Sequence, residues 1–367
     1  MNRIPAFDLR RAIDSIADDV ESRWKSLLMA SAFVGGAEVD RFERAFADVV
    51  AAAGCVGVAN GTDALVLSMR ALNLQPGDEV IVPSFTFIAT AGAVVLAGGT
   101  PVFADVEVET LNLDWQRAAE RITDRTVGLV GVHLYGRPFA VDQAQALAKR
   151  QGLWLIEDAA QAHGAEWQGT RVGNFGSLAT WSFYPSKNLG CFGDGGAVTG
   201  NDADLLATVR RLADHGRREH YEHTEVGTNS RLDALQAGVL NCRLPTLEAN
   251  NERRRQIARQ YREALTDIGD LRFLVDPPGS LSVFHQETVL TGHRDKLRQH
   301  LQEQGIGTGV HYPLALHLQP AFVATGQQVA DLPVAAAAGG EVLCLPMFPE
   351  LTDTEVGEVC AAVQQFF

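Results

Sequence analysis

The chain has 367 residues, of which 46% are hydrophobic and 21% are charged, and its formal net charge is −14. A chain of this length and composition is typical of a two-domain globular enzyme that needs no disulfide or metal for stability. Binding to nucleic acid requires clustered Lys and Arg, so the negative charge disfavours a nucleic-acid partner.

Cysteine usage and the apolar segments indicate a cytoplasmic protein without a membrane span. The five cysteines form no C-x-x-C pair, which favours reduced thiols and argues against a zinc site. The N-terminus has no apolar signal-peptide core. Residues 80–104 are uncharged, but prolines, glycines and hydroxyl residues interrupt them, which predicts a strand, a helix and a second strand.

The first two-thirds of the chain alternates between helical and strand patterns. Apolar residues at helical spacing predict a helix over 39–49, and the run 55–59 predicts a buried strand. Further segments follow in the same alternation, with helices at 63–72, 86–96, 114–122 and 140–149 and strands at 79–82, 101–104, 127–132, 153–156, 179–183 and 197–199. This alternation predicts an α/β fold with a mainly parallel central sheet covered by helices, with ligands at the carboxyl ends of the strands.

The pattern changes after residue 232. A long helical segment, interrupted near Pro245, extends to residue 264, and a Pro-Pro-Gly loop, a strand over 283–290 and helices over 294–304 and 353–366 follow. We therefore predict a large domain at 1–240 and a smaller C-terminal α+β domain at 241–367.

Two motifs follow predicted strands and carry polar groups. Asn60-Gly61-Thr62 could form a phosphate cradle at a helix start, or a simple turn in which Thr62 caps the helix. Asp158, directly after the strand 153–156, could hold a protonated pyridine nitrogen or cap a helix.

Two more motifs lie further along. Lys187 stands in a Gly-rich turn after an aromatic strand, where it could form a Schiff base or be an ordinary loop lysine. The segment 227–233 precedes a long helix and could equally be a capped loop.

Together these motifs match what one cofactor needs. Pyridoxal 5′-phosphate (PLP) requires an amine for its aldehyde, an anion for its ring nitrogen, a flat partner for its ring and donors for its phosphate. Lys187, Asp158 and Phe85 would supply the first three, although Phe85, just past a strand end, could equally be an ordinary core aromatic. Gly61, Thr62 and Ser182 would supply the phosphate donors.

The motifs, in this order, resemble the DegT/StrS family of sugar aminotransferases, which are fold-type I PLP enzymes. The resemblance rests on the segments 33–36, 60–65, 76–83, 133–136, 156–161, 182–196, 229–233, 311–313 and 345–347. It extends over nearly the whole chain.

The resemblance implies roles for individual residues. Lys187 would be the Schiff-base lysine, Asp158 the partner of the ring nitrogen, and Gln161 a contact to the ring hydroxyl. Phe85 matches a stacking position often filled by Tyr or Trp. Family members are homodimers with shared active sites, in which Asn229 would reach the phosphate in the neighbouring subunit.

The resemblance also implies a reaction. Glutamate would donate its amino group, leaving pyridoxamine 5′-phosphate (PMP) as the intermediate cofactor, and a nucleotide-linked keto sugar would accept the amine. The segment 229–236 is more similar to members that aminate 3-keto sugars than to those that act on 4-keto sugars.

Candidate substrate contacts follow from the same resemblance. His311, Tyr312 and His317 would lie near the mouth of the active site, although both histidines could be structural or solvent-exposed. Without carboxylate or Cys neighbours they do not indicate a metal site. Arg231 and Arg217 could bind a diphosphate or form structural salt bridges.

Three other functions are less compatible with the sequence. Family members that dehydrate sugars carry histidine in place of the lysine, so Lys187 argues against dehydration. A non-catalytic PLP-binding regulator remains an alternative, which the intact Lys187, Asp158 and Gln161 disfavour. A nicotinamide enzyme is disfavoured because no G-x-G-x-x-G follows the first strand.

Overall fold

Alternating helices and strands build the protein in a computed structural model, which describes residues 3–323 and 332–367. The helices are α1 (Leu9–Asp14), α2 (Ala17–Ala30), α3 (Ala37–Val49), α4 (Gly61–Ala71), α5 (Ile88–Leu96), α6 (Trp115–Ala119), α7 (Val141–Gln151), α8 (Ala203–Ala213), α9 (Ala234–Arg243), α10 (Leu247–Leu265), α11 (Arg294–Glu303), α12 (Pro320–Val323), α13 (Pro333–Glu341) and α14 (Asp353–Phe366). The strands are β1 (Gly54–Val58), β2 (Glu79–Pro83), β3 (Thr100–Ala104), β4 (Thr126–Val132), β5 (Trp154–Asp158), β6 (Glu166–Trp167), β7 (Thr170–Arg171), β8 (Leu178–Ser182), β9 (Gly196–Gly200), β10 (Arg217–Glu219), β11 (Glu222–His223), β12 (Arg272–Phe273), β13 (Ser280–Leu281), β14 (Glu287–Leu290) and β15 (Val342–Leu345).

The central sheet has seven strands in the order β1-β9-β8-β5-β4-β2-β3. The strands from β3 to β8 in this order are parallel, and β9 runs antiparallel to both of its neighbours. The prediction of a mainly parallel sheet is therefore confirmed. In register, Asp158 of β5 lies beside Val132 of β4 and Thr180 of β8, so these strands approach the same edge of the sheet.

Helices cover both faces of the sheet because its inner strands are apolar on both sides. Val80 and Val82 pack with Leu65 of α4 on one face, and Ile81 packs with Leu147 of α7 on the other. All three β2 side chains are completely buried. Successive strand residues point to opposite faces, so a continuous apolar run requires two covering layers.

The C-terminal part of the chain forms a smaller layer. The antiparallel strands β12, β14 and β15 pack with α10, α11 and α14 around a core of their own. A 3-10 turn at Leu244–Thr246 separates α9 from α10, which confirms the predicted interruption near Pro245. Ile4 is buried in this C-terminal core and bridges to Ile306, so the N-terminal segment also packs here. The boundary at residue 240 stays a prediction.

In the ranges 3–323 and 332–367, no helix combines the length and the apolar character that crossing a membrane demands.

A buried ion cluster ties the C-terminal layer to the large sheet. Arg137, which follows β4 and is completely buried, contacts Glu287 of β14 at 2.7 Å between Nη2 and Oε2. Arg262 of α10 contacts the other oxygen of Glu287 at 3.0 Å, and Asp276 lies 3.0 Å from Arg137 Nε. Both guanidinium groups also stack on the ring of Phe284. Removing one partner from such a cluster leaves buried charge uncompensated.

We predict that Glu287→Gln lowers the free energy of unfolding by about 3–5 kcal/mol, because two arginines lose their shared counter-charge. Urea unfolding followed by tryptophan fluorescence measures this. Glu358→Gln is the matched control, since its partner Arg3 is exposed and surface pairs contribute little. If both substitutions lowered the free energy of unfolding by the same amount, the buried cluster would stabilise the protein no more than an exposed ion pair does.

Candidate active site

A cavity of about 710 Å³ opens at the carboxyl ends of the parallel strands. Val132, Asp158 and Ser182, the last residues of β4, β5 and β8, line it together with the turn after β1. Ligands bind at this edge in open α/β sheets because loops from several strands converge there. The cavity therefore lies where the sequence predicted it.

Lys187 projects into this cavity from the turn after β8. Its backbone N–H donates to Tyr184 at 2.8 Å, and a Cβ on Gly190 would lie 2.6 Å from Pro185 O, so the turn requires glycine there. The side chain is half-buried, and its amine makes no hydrogen bond to any residue in the described ranges. Burial lowers the pKa of Lys187 to about 8, while the charge of Asp158 opposes this shift. A fraction of the amine is thus uncharged and nucleophilic near neutral pH.

Asp158 ends β5 and is 6% exposed. Its carboxylate accepts hydrogen bonds from Thr90 Oγ1 at 2.9 Å and from the backbone N–H of Ala160 at 3.3 Å. Burial raises the pKa of Asp158, and these hydrogen bonds and the charge of Lys187 oppose the rise. No cation from residues 3–323 or 332–367 contacts this buried carboxyl group directly, which suits the binding of a protonated ring nitrogen.

The neighbouring Glu157 holds the strand end from the opposite face. It is completely buried and accepts hydrogen bonds from the backbone N–H groups of Gly173, Phe175 and Gly176 at 2.7–2.8 Å. His133 Nε2 lies 3.1 Å from its carboxylate. Burial disfavours its charge, but these donors lower the pKa of Glu157 overall. The anchored Glu157 fixes the backbone from which Asp158 projects.

The turn after β1 forms an anion cradle. Asn60 Oδ1 accepts from Asp63 N at 2.8 Å, so Asn60 rather than Thr62 caps α4. A Cβ on Gly61 would lie 2.8 Å from Ser182 Cβ, so the close approach of these segments requires glycine. The positive end of the α4 dipole and the hydroxyl groups of Thr62 and Ser182 face the same cavity. This set of donors fits a phosphate group.

Gln161 lies between the sheet and the C-terminal layer. Its Oε1 accepts from Tyr135 N at 2.6 Å, and its Nε2 donates to Tyr312 Oη at 3.4 Å. Both His311 and Tyr312 line the cavity. Burial, and then the charge of Lys187, lower the pKa of His311, so it is neutral at neutral pH.

The structure corrects the prediction that Phe85 stacks on the cofactor and supports the alternative of a core aromatic. Phe85 is 1% exposed, belongs to a core cluster and does not line the cavity. Phe87 lines it instead, with its ring centroid 5.8 Å from that of Tyr312. The chain bends over 84–86 after β2 ends at Pro83, which turns Phe85 into the core.

Four predicted contacts lie outside this cavity. His317 is buried in a 3-10 turn, and its Nδ1 has no hydrogen-bond partner among the described residues. Arg217 and Arg231 both pair with Asp214, the latter at 3.2 Å. Asn229 is exposed and bridges through its backbone to Asp214. One chain therefore does not bring these residues to Lys187.

Sequence reasoning missed several cavity residues. Thr90 of α5 does not line the cavity but donates to Asp158, and it was missed as well; a lone hydroxyl in an otherwise apolar helix was the available signal. His285 and Gln286 come from the C-terminal layer, and Ala6 and Phe7 come from the N-terminal segment. No motif marked these four residues, because only folding brings their segments to the cavity.

Comparisons with known proteins agree with this geometry. The chain belongs to the DegT/DnrJ/EryC1/StrS aminotransferase family, whose model matches residues 14–364. It is therefore a fold-type I, PLP-dependent aminotransferase, which confirms the fold, the enzyme class and the cofactor predicted from the sequence.

Individual relatives match over almost their whole length. The chain is 42% identical to dTDP-3-amino-3,4,6-trideoxy-alpha-D-glucose transaminase of Streptomyces venezuelae, covering 99% of this chain and 96% of that protein. It is 40% identical to the pleiotropic regulatory protein of Geobacillus stearothermophilus, over 99% and 98% of the two chains. The crystal structure of S. venezuelae DesV in complex with a ketimine intermediate superposes with a TM-score of 0.97 at 42% identity, covering 100% of this chain and 99% of the other.

We predict that Gly61→Ala weakens PLP binding at least about fivefold, since overpacking a tight contact costs roughly 1–3 kcal/mol. Titration of the apo-enzyme with PLP, followed by absorbance, gives the dissociation constant. Gly357→Ala is the control, because a Cβ there meets nothing within 4 Å. Unchanged affinity in Gly61→Ala would contradict the assignment of the cradle.

We also predict a pH dependence for PLP binding. Only the uncharged amine of Lys187 attacks the aldehyde, so the binding rate should rise with pH around a midpoint near 8. Asp158→Asn should move this midpoint lower, because the Asp158 charge raises the pKa of Lys187. Stopped-flow absorbance measures both profiles, and Lys149→Ala, an exposed lysine, should leave the midpoint unchanged. A midpoint near the ordinary lysine value of 10.5 would refute the role of burial.

Proposed function

We propose that the protein transfers the amino group of glutamate to a nucleotide-linked 3-keto sugar. The observation that supports this most directly is the meeting of Lys187, Asp158 and the anion cradle in one cavity. The S. venezuelae relative bears the name of a transaminase for a 3-amino nucleotide sugar. The similarity of 229–236 to members that act on 3-keto sugars points the same way.

The cavity residues suit the parts of PLP. Gly61, Thr62 and Ser182 would bind its phosphate, Asp158 its protonated ring nitrogen and Gln161 its ring hydroxyl. The ring of Phe87, in place of Phe85, would lie against the cofactor ring. PLP supplies an aldehyde that bonds to amines and a ring that accepts electrons from the adjacent carbon.

The chain's own residues then move the protons. Asp158, held in position by Thr90 and Ala160, keeps a positive charge on the ring nitrogen. Lys187, once its amine is free, would take the proton from the substrate carbon that bears the amino group and deliver it to the former aldehyde carbon of the cofactor, on the other side of the nitrogen. An amine with a pKa of about 8 can act as base and acid near neutral pH.

A homodimer with shared active sites would complete the substrate site. Of the charged side chains that line the cavity in the described ranges, none is an arginine. Arg217, Arg231 and Asn229 lie together around Asp214, on a surface away from this cavity. In a second copy the same residues would reach the mouth, where Asn229 would bind the cofactor phosphate and the arginines a diphosphate.

Exposed apolar side chains favour the same assembly. Leu28, Met29 and Val34 are 57–83% exposed, and Val34 bridges to Asp233, close to Asn229. Apolar groups of this size at a surface are typical of an interface. We also propose a cytoplasmic location, since Cys55, Cys191, Cys242, Cys344 and Cys360 are all free thiols.

A second candidate function is regulation without catalysis. The name of the Geobacillus relative is the observation that favours it. Lys187 and Asp158 are both in place, which favours catalysis, because a regulator that only bound PLP would use the amine for the aldehyde but would not need a buried carboxylate to keep the ring nitrogen protonated.

The deciding experiment is a glutamate-dependent transamination screen over dTDP- and UDP-linked 3-keto and 4-keto sugars, with the position of the amine read by NMR. We expect 3-keto sugars to react at least about tenfold faster, as a hydrogen-bonding site can discriminate this strongly. Lys187→Ala should abolish turnover, and Lys149→Ala should retain it.

Each other outcome has a definite meaning. An amine at C4 would overturn the 3-keto proposal but keep the aminotransferase. Failure of every keto sugar, together with PLP binding that glutamate does not change, would favour the regulator.

A further inference from the structure

A chain of buried amides connects His285 to the turn that carries Lys187. His285 is 5% exposed and lines the cavity. Its Nδ1 lies 3.2 Å from Oδ1 of Asn188, the residue directly after Lys187. Asn188 in turn bonds to Asn251 of α10. None of these three side chains has a role in the function proposed above.

The direction of each hydrogen bond is fixed by backbone carbonyls, which can only accept. Asn251 Nδ2 donates to His163 O at 2.8 Å, so Asn251 Oδ1 is its accepting end. Asn188 Nδ2 donates to that oxygen at 2.9 Å and to Val283 O at 3.0 Å, which uses both of its hydrogens. Asn188 Oδ1 must therefore accept, and the proton between it and His285 belongs to Nδ1.

His285 carries only this one proton. Burial, followed by the charges of Lys187 and Arg254, lowers the pKa of His285 well below its usual range, so the ring is neutral. Arg254 Nη1 also lies within 3.5 Å of the carbonyls of Phe284, His285 and Met347, which holds the backbone at this position. A neutral ring protonated at Nδ1 has a lone pair at Nε2.

We propose that His285 is a specificity-determining residue whose Nε2 accepts a hydrogen bond from a hydroxyl group of the sugar. The assignment of the ligand rests on the proposed function, whereas the position of the proton does not. A nitrogen lone pair repels carboxylate and phosphate oxygens, so the carboxylates of the amino donor must bind elsewhere in the cavity. Because the amides of Asn188 and Asn251 fix the proton on Nδ1, His285 would act in the half-reaction with the sugar and not in the half-reaction with the amino donor.

Two substitutions separate the two ring nitrogens. In His285→Asn the amide nitrogen replaces Nδ1 and can still donate to Asn188, but no group replaces Nε2. In His285→Gln the longer side chain places an amide oxygen near the former Nε2, so the acceptor in the cavity is kept. A purely structural role would make His285→Asn the milder substitution, and our proposal makes it the more harmful one for sugar binding.

The first measurement is the tautomer. Nitrogen-15 NMR of histidine-labelled holoenzyme, with His285→Asn or His285→Gln used to assign the signals, should show a proton on Nδ1 and none on Nε2 at neutral pH. A proton on Nε2 would overturn the inference even if the enzyme is fully active. This measurement stands if the substrate screen fails, so the two failures are distinguishable.

The second measurement is the split between the two half-reactions. With the keto sugar accepted in the screen, His285→Asn should raise KM about three- to tenfold, the loss expected for one neutral hydrogen bond. His285→Gln should raise it less, and the rate with glutamate alone should stay within about twofold of wild type. An equal loss in the glutamate half-reaction, or an unchanged KM in His285→Asn, would overturn the proposal.

Discussion

Asp158 and Lys187 share one cavity at the carboxyl edge of the sheet, and the chemistry of each group depends on the other. A buried carboxylate is costly unless donors face it, and Thr90 and the Ala160 N–H supply them. Burial makes the amine easier to deprotonate, and the nearby carboxylate prevents the shift from becoming larger. Each group therefore shifts the pKa of the other. Both are held in position at the carboxyl edge of the parallel sheet.

The cavity is completed by residues far away in the chain. His285, His311 and Tyr312 come from the C-terminal layer, which Glu287 joins to Arg137 through buried ion pairs. Such a cluster adds little net stability compared with apolar packing, but it penalises every arrangement in which one partner is missing. Its function here is to keep the wall of the cavity in one position relative to Lys187.

Much of the site could be predicted because its residues follow predicted strands. Lys187, Asp158, Gly61, Thr62, Ser182 and Gln161 all face the cavity, as do His311 and Tyr312. Of the two interpretations open for Phe85, the structure supports the core aromatic, because the bend after β2 turns its ring away from the cavity. Such a bend cannot be predicted from hydrophobic periodicity. Asn229, Arg217, Arg231 and His317 lie elsewhere in the single chain, and a partner subunit remains the proposal for the first three.

The sequence by itself determined the alternation of strands and helices, the edge of the sheet where ligands bind, and the chemistry of its local motifs. These features depend on residues that are near in sequence, so their periodicity and spacing are visible there. Only the tertiary structure decided that Thr90 supports Asp158, that Glu287 joins the two layers, and that Asn251 and Asn188 orient His285. These contacts join residues separated by 25 to 150 positions. Residues so far apart in sequence become buried together and hydrogen-bonded only when the chain folds, so no local pattern predicts these contacts.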